Sequence, residues 1–171
     1  MGSAVPFPFL SPRTKQSTVT NEQESRLKIE RCEPEDAEAF LRLEAACFEM
    51  SYREEVLYFW RPVLDYGWVF RAKYGGKIVG GVIALPTRQG MVYVNSLFVH
   101  PRFRNHGIAR RLLRRVLRLH PPKGFVLDVK TEKPYLVAFY KKEGFGVTRR
   151  EENYYGDGSD RVILMRRALE G

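Results

Sequence analysis

The sequence predicts one mixed α+β domain, built on a single seven-stranded, mostly antiparallel sheet with a central parallel strand pair and flanking helices. Short alternating or continuously apolar segments, typical of strands, occur seven times, and four further segments carry apolar residues at helical spacing. Residues 74–77, with two central glycines, predict a hairpin. Strand 91–99, helix 108–119 and strand 125–130 follow one another, which predicts a right-handed crossover that makes these strands parallel neighbours.

The first half of the chain supplies two helices and strands that pair with their neighbours in sequence. Residues 27–31 alternate between apolar and charged side chains, as a short strand does. Pro34, with acids on both sides, opens a helix that ends near Cys47. A second helix follows and is expected to bend or end at Pro62. The hairpin strands then complete this half.

The second half begins with the strand and helix around which we expect the fold to be organised. Residues 91–99 are rich in β-branched and aromatic residues, and the helix after them has an apolar stripe opposite a row of arginines. A Pro-Pro-Lys-Gly segment ends that helix before the next strand. Helix 135–142 ends at Gly144. Strands 146–150 and 162–167 flank a loop rich in glycine and aspartate.

Length and composition are typical of one folded domain, expected over residues 26–171 after a flexible N-terminal arm at 1–25. Cys32 and Cys47 are too few for a disulfide framework and lack the companions that a zinc site needs, so a reducing, cytoplasmic location fits. No run of about 18 apolar residues occurs that would span a membrane. The arm lacks the basic and apolar regions of a secretory signal.

The net charge of +9 favours anionic partners such as nucleic acid, ribosomes or a phosphorylated cofactor. Seven arginines and no acid lie between residues 101 and 120. Within this stretch, residues 104–109 have the form Arg-x-x-Gly-x-Ala where a helix begins after a strand. The free amides of a first helical turn, the helix dipole and Arg104 would together bind a phosphate. Alternatively, Gly107 only relieves strain in a tight turn and the arginines form a solvated face.

The order of elements and two motifs carry a resemblance to a known family. The motifs are the 104–109 turn and an Ala-x-Tyr-x-x-x-Gly-Phe pattern at 138–145. With these features the chain resembles the GCN5-related N-acetyltransferases (GNAT). Residues 127–129, 153–156 and the Phe-x-x-Ser-Tyr segment at 48–52 resemble the protein N-terminal acetyltransferases, which include the bacterial enzyme acting on ribosomal proteins and the catalytic subunits of archaeal and eukaryotic complexes.

The resemblance implies acetyl-CoA as cosubstrate and no metal. The pyrophosphate would lie on the turn, and the pantetheine arm would pair like an extra strand with the backbone of 97–99. A bulge in that segment would aim an amide at the thioester carbonyl. The histidines are scattered, which also argues against a metal site: His100, His106 and His120. The residues implied in cofactor binding are Leu97, Phe98, Val99, Arg104, Asn105, His106, Gly107, Ile108, Ala109 and Arg110.

The resemblance also implies three catalytic residues. Asp128 lies where relatives have a base, and as a short carboxylate it would act through an ordered water, with Tyr93 as the second element of the relay. Tyr140 matches the tyrosine that returns a proton to the departing thiolate. Alternatively, Asp128 holds a neighbouring loop, and the two tyrosines are core residues.

The acceptor groove is implied by four aromatic residues. Phe48, Tyr52, Tyr154 and Tyr155 would contact the first side chain and the backbone of a substrate terminus. The alternative for the two adjacent tyrosines is a surface hairpin with exposed aromatic side chains.

We therefore predict an N-acetyltransferase that moves acetyl from acetyl-CoA to the α-amino group of a protein or peptide by direct attack in a ternary complex. An α-amine of pKa about 8 needs less help from a base than a lysine of pKa about 10.4. A lysine or small-molecule amine acetyltransferase is the alternative within this chemistry. A non-catalytic acyl-CoA sensor, or an RNA- or ribosome-binding module, is the alternative of another class, motivated by five arginines on one helix face.

Overall fold

The structure is a computed structural model that describes residues 27–119, 121 and 123–168. The arm expected at 1–25 lies outside the described residues. The strands are β1 (Leu27–Arg31), β2 (Trp68–Tyr74), β3 (Lys77–Pro86), β4 (Val92–Val99), β5 (Phe125–Lys130), β6 (Gly146–Glu151) and β7 (Arg161–Arg166). The helices are α1 (Ala37–Cys47), α2 (Leu57–Tyr66), α3 (Ile108–Leu117) and α4 (Pro134–Lys142). Their order and the single mixed sheet confirm the predicted fold class.

The seven strands form one sheet in the order β1-β2-β3-β4-β5-β7-β6. Neighbouring strands are antiparallel except β4 and β5, which run parallel on either side of the α3 crossover. These two strands are joined through the pairs Val92 with Phe125 and Tyr93 with Val126. Beyond Tyr93 they diverge, so in the described chain the β4 backbone from there to Val99 pairs with β3 alone.

A β-bulge lies in β4 shortly after this divergence. Val94 and Ser96 lie opposite neighbouring residues of β3, so Asn95 is the extra residue. The bulge therefore comes before 97–99, the segment in which we expected it. Asparagine is a poor strand former, and the strand has already lost one neighbour at this point, so an unpaired residue costs few hydrogen bonds here.

Helices cover both faces of the sheet and bury two apolar clusters. α3 and α4 cover one face, where Leu112 and Leu113 are fully buried. α1 and α2 cover the other face, where the Phe40 ring packs against the rings of Trp60 and Phe98. The spacing of the buried residues within each helix is the amphipathic pattern visible in the sequence.

Helix α2 continues to Tyr66, beyond the proline at which we expected it to bend or end. Pro62 lacks the amide that would bond to the preceding turn, so it weakens the helix locally. Trp60 and Leu64 lie buried on the inner side of the same helix. Their packing against the sheet outweighs the lost hydrogen bond.

Gly81 of β3 lies under α1, and a Cβ at this position would overlap the rings of Phe40 and Phe98. We expect Gly81→Ala to lower the free energy of unfolding by about 1–3 kcal/mol, because two rings must move within a packed core. Urea denaturation followed by tryptophan fluorescence measures the change. Gly146→Ala is the matched control, since its Cβ would meet only the Met165 carbonyl at 4.0 Å. An equal loss in both variants would contradict this explanation.

Candidate active site

Two residues predicted to be catalytic meet where β4 and β5 diverge. The phenol of Tyr93 on β4 donates a hydrogen bond to Oδ1 of Asp128 on β5. The Tyr155 phenol, from the loop between β6 and β7, donates to the same oxygen at 2.9 Å and lies 2.9 Å from the Tyr93 phenol oxygen. The structure therefore joins these residues to one that was predicted to bind substrate.

Arg161, at the start of β7, completes this cluster, and the sequence analysis missed it. Its Nη1 lies 3.5 Å from Oδ2 of Asp128, and its guanidinium carbon lies 4.8 Å from the centre of the Tyr155 ring. The Arg161 and Asp128 side chains are 14% and 7% exposed, so both charges are buried together. β5 and β7 are neighbours in the sheet but distant in the sequence, so no local pattern marks this pair. A basic residue after a polar loop was the available signal.

The surroundings keep both phenols of the cluster protonated. Burial, followed by the hydrogen bonds to Asp128 and Tyr155, raises the pKa of Tyr93 far above its usual value. Burial also raises the pKa of Tyr155, and the nearby Asp128 charge adds to the rise. In this arrangement the phenols donate hydrogen bonds and Asp128 accepts them.

A cleft of about 480 Å³ opens beside the cluster. Tyr154 lies in its wall, with its ring centre 4.7 Å from that of Tyr155. Both tyrosines are exposed, so their rings are available to a ligand. The cleft is lined by the apolar side chains of Met91, Val126, Ile163 and Met165 and by polar ones that include Gln89 and Arg149.

Phe48 and Tyr52, the other predicted substrate contacts, do not line this cleft. Phe48 packs edge-on against Phe98, with ring centres 6.4 Å apart. The Tyr52 ring lies under the Arg42 guanidinium, 4.2 Å from its carbon. Both residues therefore lie beside α1, and their role as substrate contacts stays a prediction.

Tyr140 projects from α4, on the opposite face of the sheet. It is buried and packs against the rings of Phe139 and Phe145. Burial, together with the negative charge of Asp128, raises the pKa of its phenol. The phenol therefore stays protonated near the divergence of the two strands.

The start of α3 has the shape of an anion site. Gly107 caps the helix in the left-handed region, with φ of +74°. A Cβ built on it would meet nothing within 4 Å, so open space lies in front of the first helical turn. Ile108, Ala109 and Arg110 present their backbone amides there, because an α-helix leaves its first amides without intrahelical partners.

The turn that leads into α3 is held by its own side chains. Arg104 donates from Nε to the Val99 carbonyl at 3.2 Å, and the His106 ring bonds to the Arg104 carbonyl at 2.7 Å. Asn105 has φ of +64°, a conformation that asparagine tolerates better than most residues. These bonds fix the path of the chain between strand and helix.

The β4 segment before the turn offers backbone rather than side chains. Phe98 and Val99 are buried in the apolar clusters, and Leu97 is half-buried. The amides and carbonyls of this segment border the gap where β5 has moved away. That these residues bind the cofactor through their backbone stays a prediction.

The arginine face of α3 is partly used within the protein. Arg110 and Arg114 donate from Nε to the two oxygens of Glu143, at 2.7 Å and 3.0 Å. The Glu143 side chain is 4% exposed, and the sequence analysis missed it. Arg111 approaches the backbone of β1, and Arg115 lies over the Phe70 ring at 5.1 Å. Arg110 thus reaches the turn already paired with a carboxylate.

No cluster of three or more His, Cys, Asp or Glu side chains that would hold a metal occurs among the described residues. His120 lies outside them. Cys32 and Cys47 are free, and burial raises the pKa of both thiols. None of the described helices has the length and apolar character of a membrane span.

A split sheet with an anion-binding helix start beside it defines a domain that holds a phosphorylated ligand in an extended conformation. The sequence profile of the acetyltransferase (GNAT) family matches residues 37–145. The chain therefore belongs to this family, as the resemblance implied.

Curated relatives include two named acetyltransferases. The chain is 31% identical to the N-alpha-acetyltransferase RimI of Mycobacterium tuberculosis over 99 residues, which is 56% of this chain and 63% of that protein. It is 38% identical to the peptidyl-lysine N-acetyltransferase YjaB of Salmonella typhimurium over 60 residues, which is 35% of this chain and 40% of that protein. The chain thus spans about half the length of the curated relatives it matches.

Among solved structures, Ard1 from Thermoplasma volcanium has a similar fold. The TM-score is 0.70 at 25% sequence identity, and the match covers 85% of this chain and 99% of Ard1. The predicted fold class is therefore confirmed by an independent comparison.

Arg161 compensates the buried charge of Asp128. We expect Arg161→Met to lower the free energy of unfolding by about 3 kcal/mol, because the variant leaves a buried carboxylate without its cation. Adding Asp128→Asn should recover part of that loss, since the double variant removes the charge as well. Guanidinium denaturation of the two single variants, the double variant and the parent protein measures the coupling.

Arg61→Met is the control for this experiment. Arg61 pairs with Asp65 at 2.8 Å on the exposed side of α2, so its loss should leave the stability nearly unchanged. Strictly additive effects of the Arg161 and Asp128 substitutions would show that the two residues are not coupled.

Proposed function

We propose that this chain is an acetyl-CoA-dependent N-acetyltransferase that acetylates the α-amino group of a protein or peptide by direct attack in a ternary complex. The observation that carries the proposal is the divergence of β4 and β5. The turn before α3, which would bind an anion, lies at one end of the resulting gap, and Tyr93, Asp128 and Tyr140 lie around it. Donor and acceptor would approach the gap from opposite faces of the sheet.

Acetyl-CoA suits this arrangement in two places. The free amides at the start of α3, with the open space at Gly107, would bind the pyrophosphate. The free edge of β4 from Val94 to Val99 would bond to the amides of the pantetheine arm, as a neighbouring strand does. Asn105 and His106 shape the turn, and Arg104 brings positive charge to it.

The thioester would be activated by the same edge. A β4 amide that lacks a strand partner would donate to the thioester oxygen, where negative charge grows as the amine attacks. Tyr140 would then protonate the departing thiolate. Its raised pKa keeps the phenol protonated at neutral pH before transfer, and the same shift makes it a weaker acid.

The acceptor would enter from the face that carries the cleft. Tyr154 and Tyr155 would contact the first residues of the substrate, and Tyr93 with Asp128 would orient the incoming amine. Similarity to RimI, an N-alpha-acetyltransferase by name, supports an α-amine as acceptor. The net charge of +9 supports an association with the ribosome, and we propose a cytoplasmic location.

Lysine acetylation is the second candidate, because the chain also matches YjaB, a peptidyl-lysine N-acetyltransferase by name. Two peptides of the same sequence, one with a free N-terminus and one with a blocked N-terminus, each carrying one lysine, would separate the candidates. We expect acetyl transfer to the free α-amine alone, located by fragment-ion mass spectrometry. Transfer to the lysine of both peptides would contradict the α-amine assignment. Acetyl-CoA binding without transfer would instead support an acyl-CoA sensor.

Gly107→Tyr should abolish acetyl-CoA binding while the chain stays folded. The side chain would enter open space in the free protein but would occupy the place of the pyrophosphate. Isothermal titration with acetyl-CoA measures the loss. Gly158→Tyr is the matched control, because Gly158 has φ of +81° with nothing within 4 Å of its Cβ and lies in the loop between β6 and β7. Unchanged binding in Gly107→Tyr would exclude the turn as the phosphate site.

A further inference from the structure

Acetyl transfer requires a group that takes a proton from the acceptor, and Asp128 is poorly placed for it. Its Oδ1 already accepts hydrogen bonds from Tyr93 and Tyr155, and its Oδ2 faces Arg161. Both oxygens of this carboxylate are therefore already engaged in ordering their neighbours. A second carboxyl on the acceptor face is therefore of interest.

Glu44 of α1 is directed at β4 by the residues on either side of it. Phe40 and Phe48 lie one helical turn before and after Glu44, on the same face of the helix. The rings of both contact Phe98, at 5.0 Å and 6.4 Å between centres. Glu44 is half-buried between them and must face the same strand.

The β4 residue that Glu44 meets is Ser96. Ser96 lies two residues before Phe98 and shares its face of the strand. It is 6% exposed, and its hydroxyl has no hydrogen-bond partner of normal geometry. Ser96 also directly follows the bulge, beside the gap through which the thioester would be reached. The Glu44 carboxyl is the group near enough to interact with this hydroxyl, so Ser96 links Glu44 to the edge of the gap.

The environment of Glu44 makes it a competent base. Burial raises the pKa of its carboxyl, and the Ser96 hydroxyl opposes part of that rise. The negative charge of Glu44 also raises the pKa of Cys47, which lies at the end of α1. Arg104 lies against Cys47 and lowers the pKa of that thiol. Apart from these, the contacts described for Glu44 include no cation that would fix its charge.

We propose that Glu44 is the general base of the transfer, a role that rests on the proposed acetylation of an amine at this site. The substrate ammonium gives one proton to the Glu44 carboxylate, which passes it to solvent. The neutral nitrogen attacks the thioester carbon, so a C–N bond forms and the C–S bond breaks. The nitrogen loses its second proton to solvent. The thiolate takes a proton from Tyr140, which is reprotonated by solvent.

Ser96 is the positioning residue in this arrangement. Its hydroxyl interacts with the Glu44 carboxyl and would hold one oxygen in place, which leaves the other oxygen for the substrate. Asp128 then serves as a fixed charge that holds Tyr93 and Tyr155 at the mouth of the acceptor site.

The experiment compares pH profiles of kcat/KM for a peptide with a free α-amine. With Glu44 as base, the parent protein uses the ammonium form, so its rate is level from the Glu44 pKa up to about pH 8. Glu44→Gln can use only the neutral amine, so its rate falls tenfold per pH unit below about pH 8. At about pH 6 the kcat/KM of Glu44→Gln is then about a hundredfold lower than that of the parent protein. This difference becomes smaller as the pH approaches the pKa of the amine.

Glu35→Gln, at an exposed position before α1, is the matched control and should follow the parent protein. Two results would overturn the proposal. One is a pH profile of kcat/KM for Glu44→Gln that runs parallel to that of the parent protein. The other is that Asp128→Asn, instead of Glu44→Gln, shows a loss of kcat/KM that becomes smaller as the pH rises. Loss of acetyl-CoA binding in Glu44→Gln would also overturn it, since the residue would then be structural. If the parent protein acetylates no α-amine, the proposed function fails, whereas a parallel profile with an active parent removes Glu44 alone.

Discussion

The parting of β4 from β5 after Tyr93 is the constraint on which the rest of the site depends. A central strand in a sheet normally has its amides and carbonyls bonded on both sides, because unpaired backbone groups away from water are costly. Among the described residues, one edge of β4 has no strand partner from Val94 to Val99, while β3 holds the other edge in place. An extended ligand with its own amides is the natural partner for such an edge. The bulge at Asn95 then decides which backbone groups face it.

Two buried carboxylates hold arginine side chains in place near this gap. Glu143 binds Arg110 and Arg114 beside the start of α3, and Asp128 faces Arg161 on the acceptor side. Each carboxylate pairs with arginines from a different element, so the pairs tie helices and strands together around the gap. They also account for part of the arginine row on α3. These arginines are therefore less available to bind a polyanion than the sequence alone indicates.

The sequence predicted the parts of this protein that depend on local patterns. Element order and type follow from hydrophobic period and from breakers such as Gly144, and the anion-binding turn follows from residues within a single short stretch. The pairs that meet across the sheet were not predictable in this way. Arg161 reaches Asp128 only because β7 lies next to β5, and no spacing in the sequence encodes that neighbourhood.

The packing of aromatic residues shows the same limit. The contacts of two residues predicted to bind substrate depend on how α1 lies on the sheet: Phe48 meets the Phe98 ring, and Tyr52 lies under the Arg42 guanidinium. Phe40, Glu44 and Phe48 follow one another at intervals of four residues, so they share one helical face. That pattern, followed one turn further, would have directed attention to the carboxyl between the two rings.

Glu44 and Asp128 differ in what surrounds them, and this difference assigns their roles. Asp128 is paired with a cation and two phenols, whereas Glu44 is half-buried without a described cation and its pKa is raised. A raised carboxyl pKa brings the base closer to an α-amine of pKa about 8 than to a lysine of pKa about 10.4. Proton transfer from an α-ammonium to Glu44 is therefore less uphill than transfer from a lysine. A carboxyl base at this position therefore suits an α-amine better than a lysine, in keeping with the proposed acceptor.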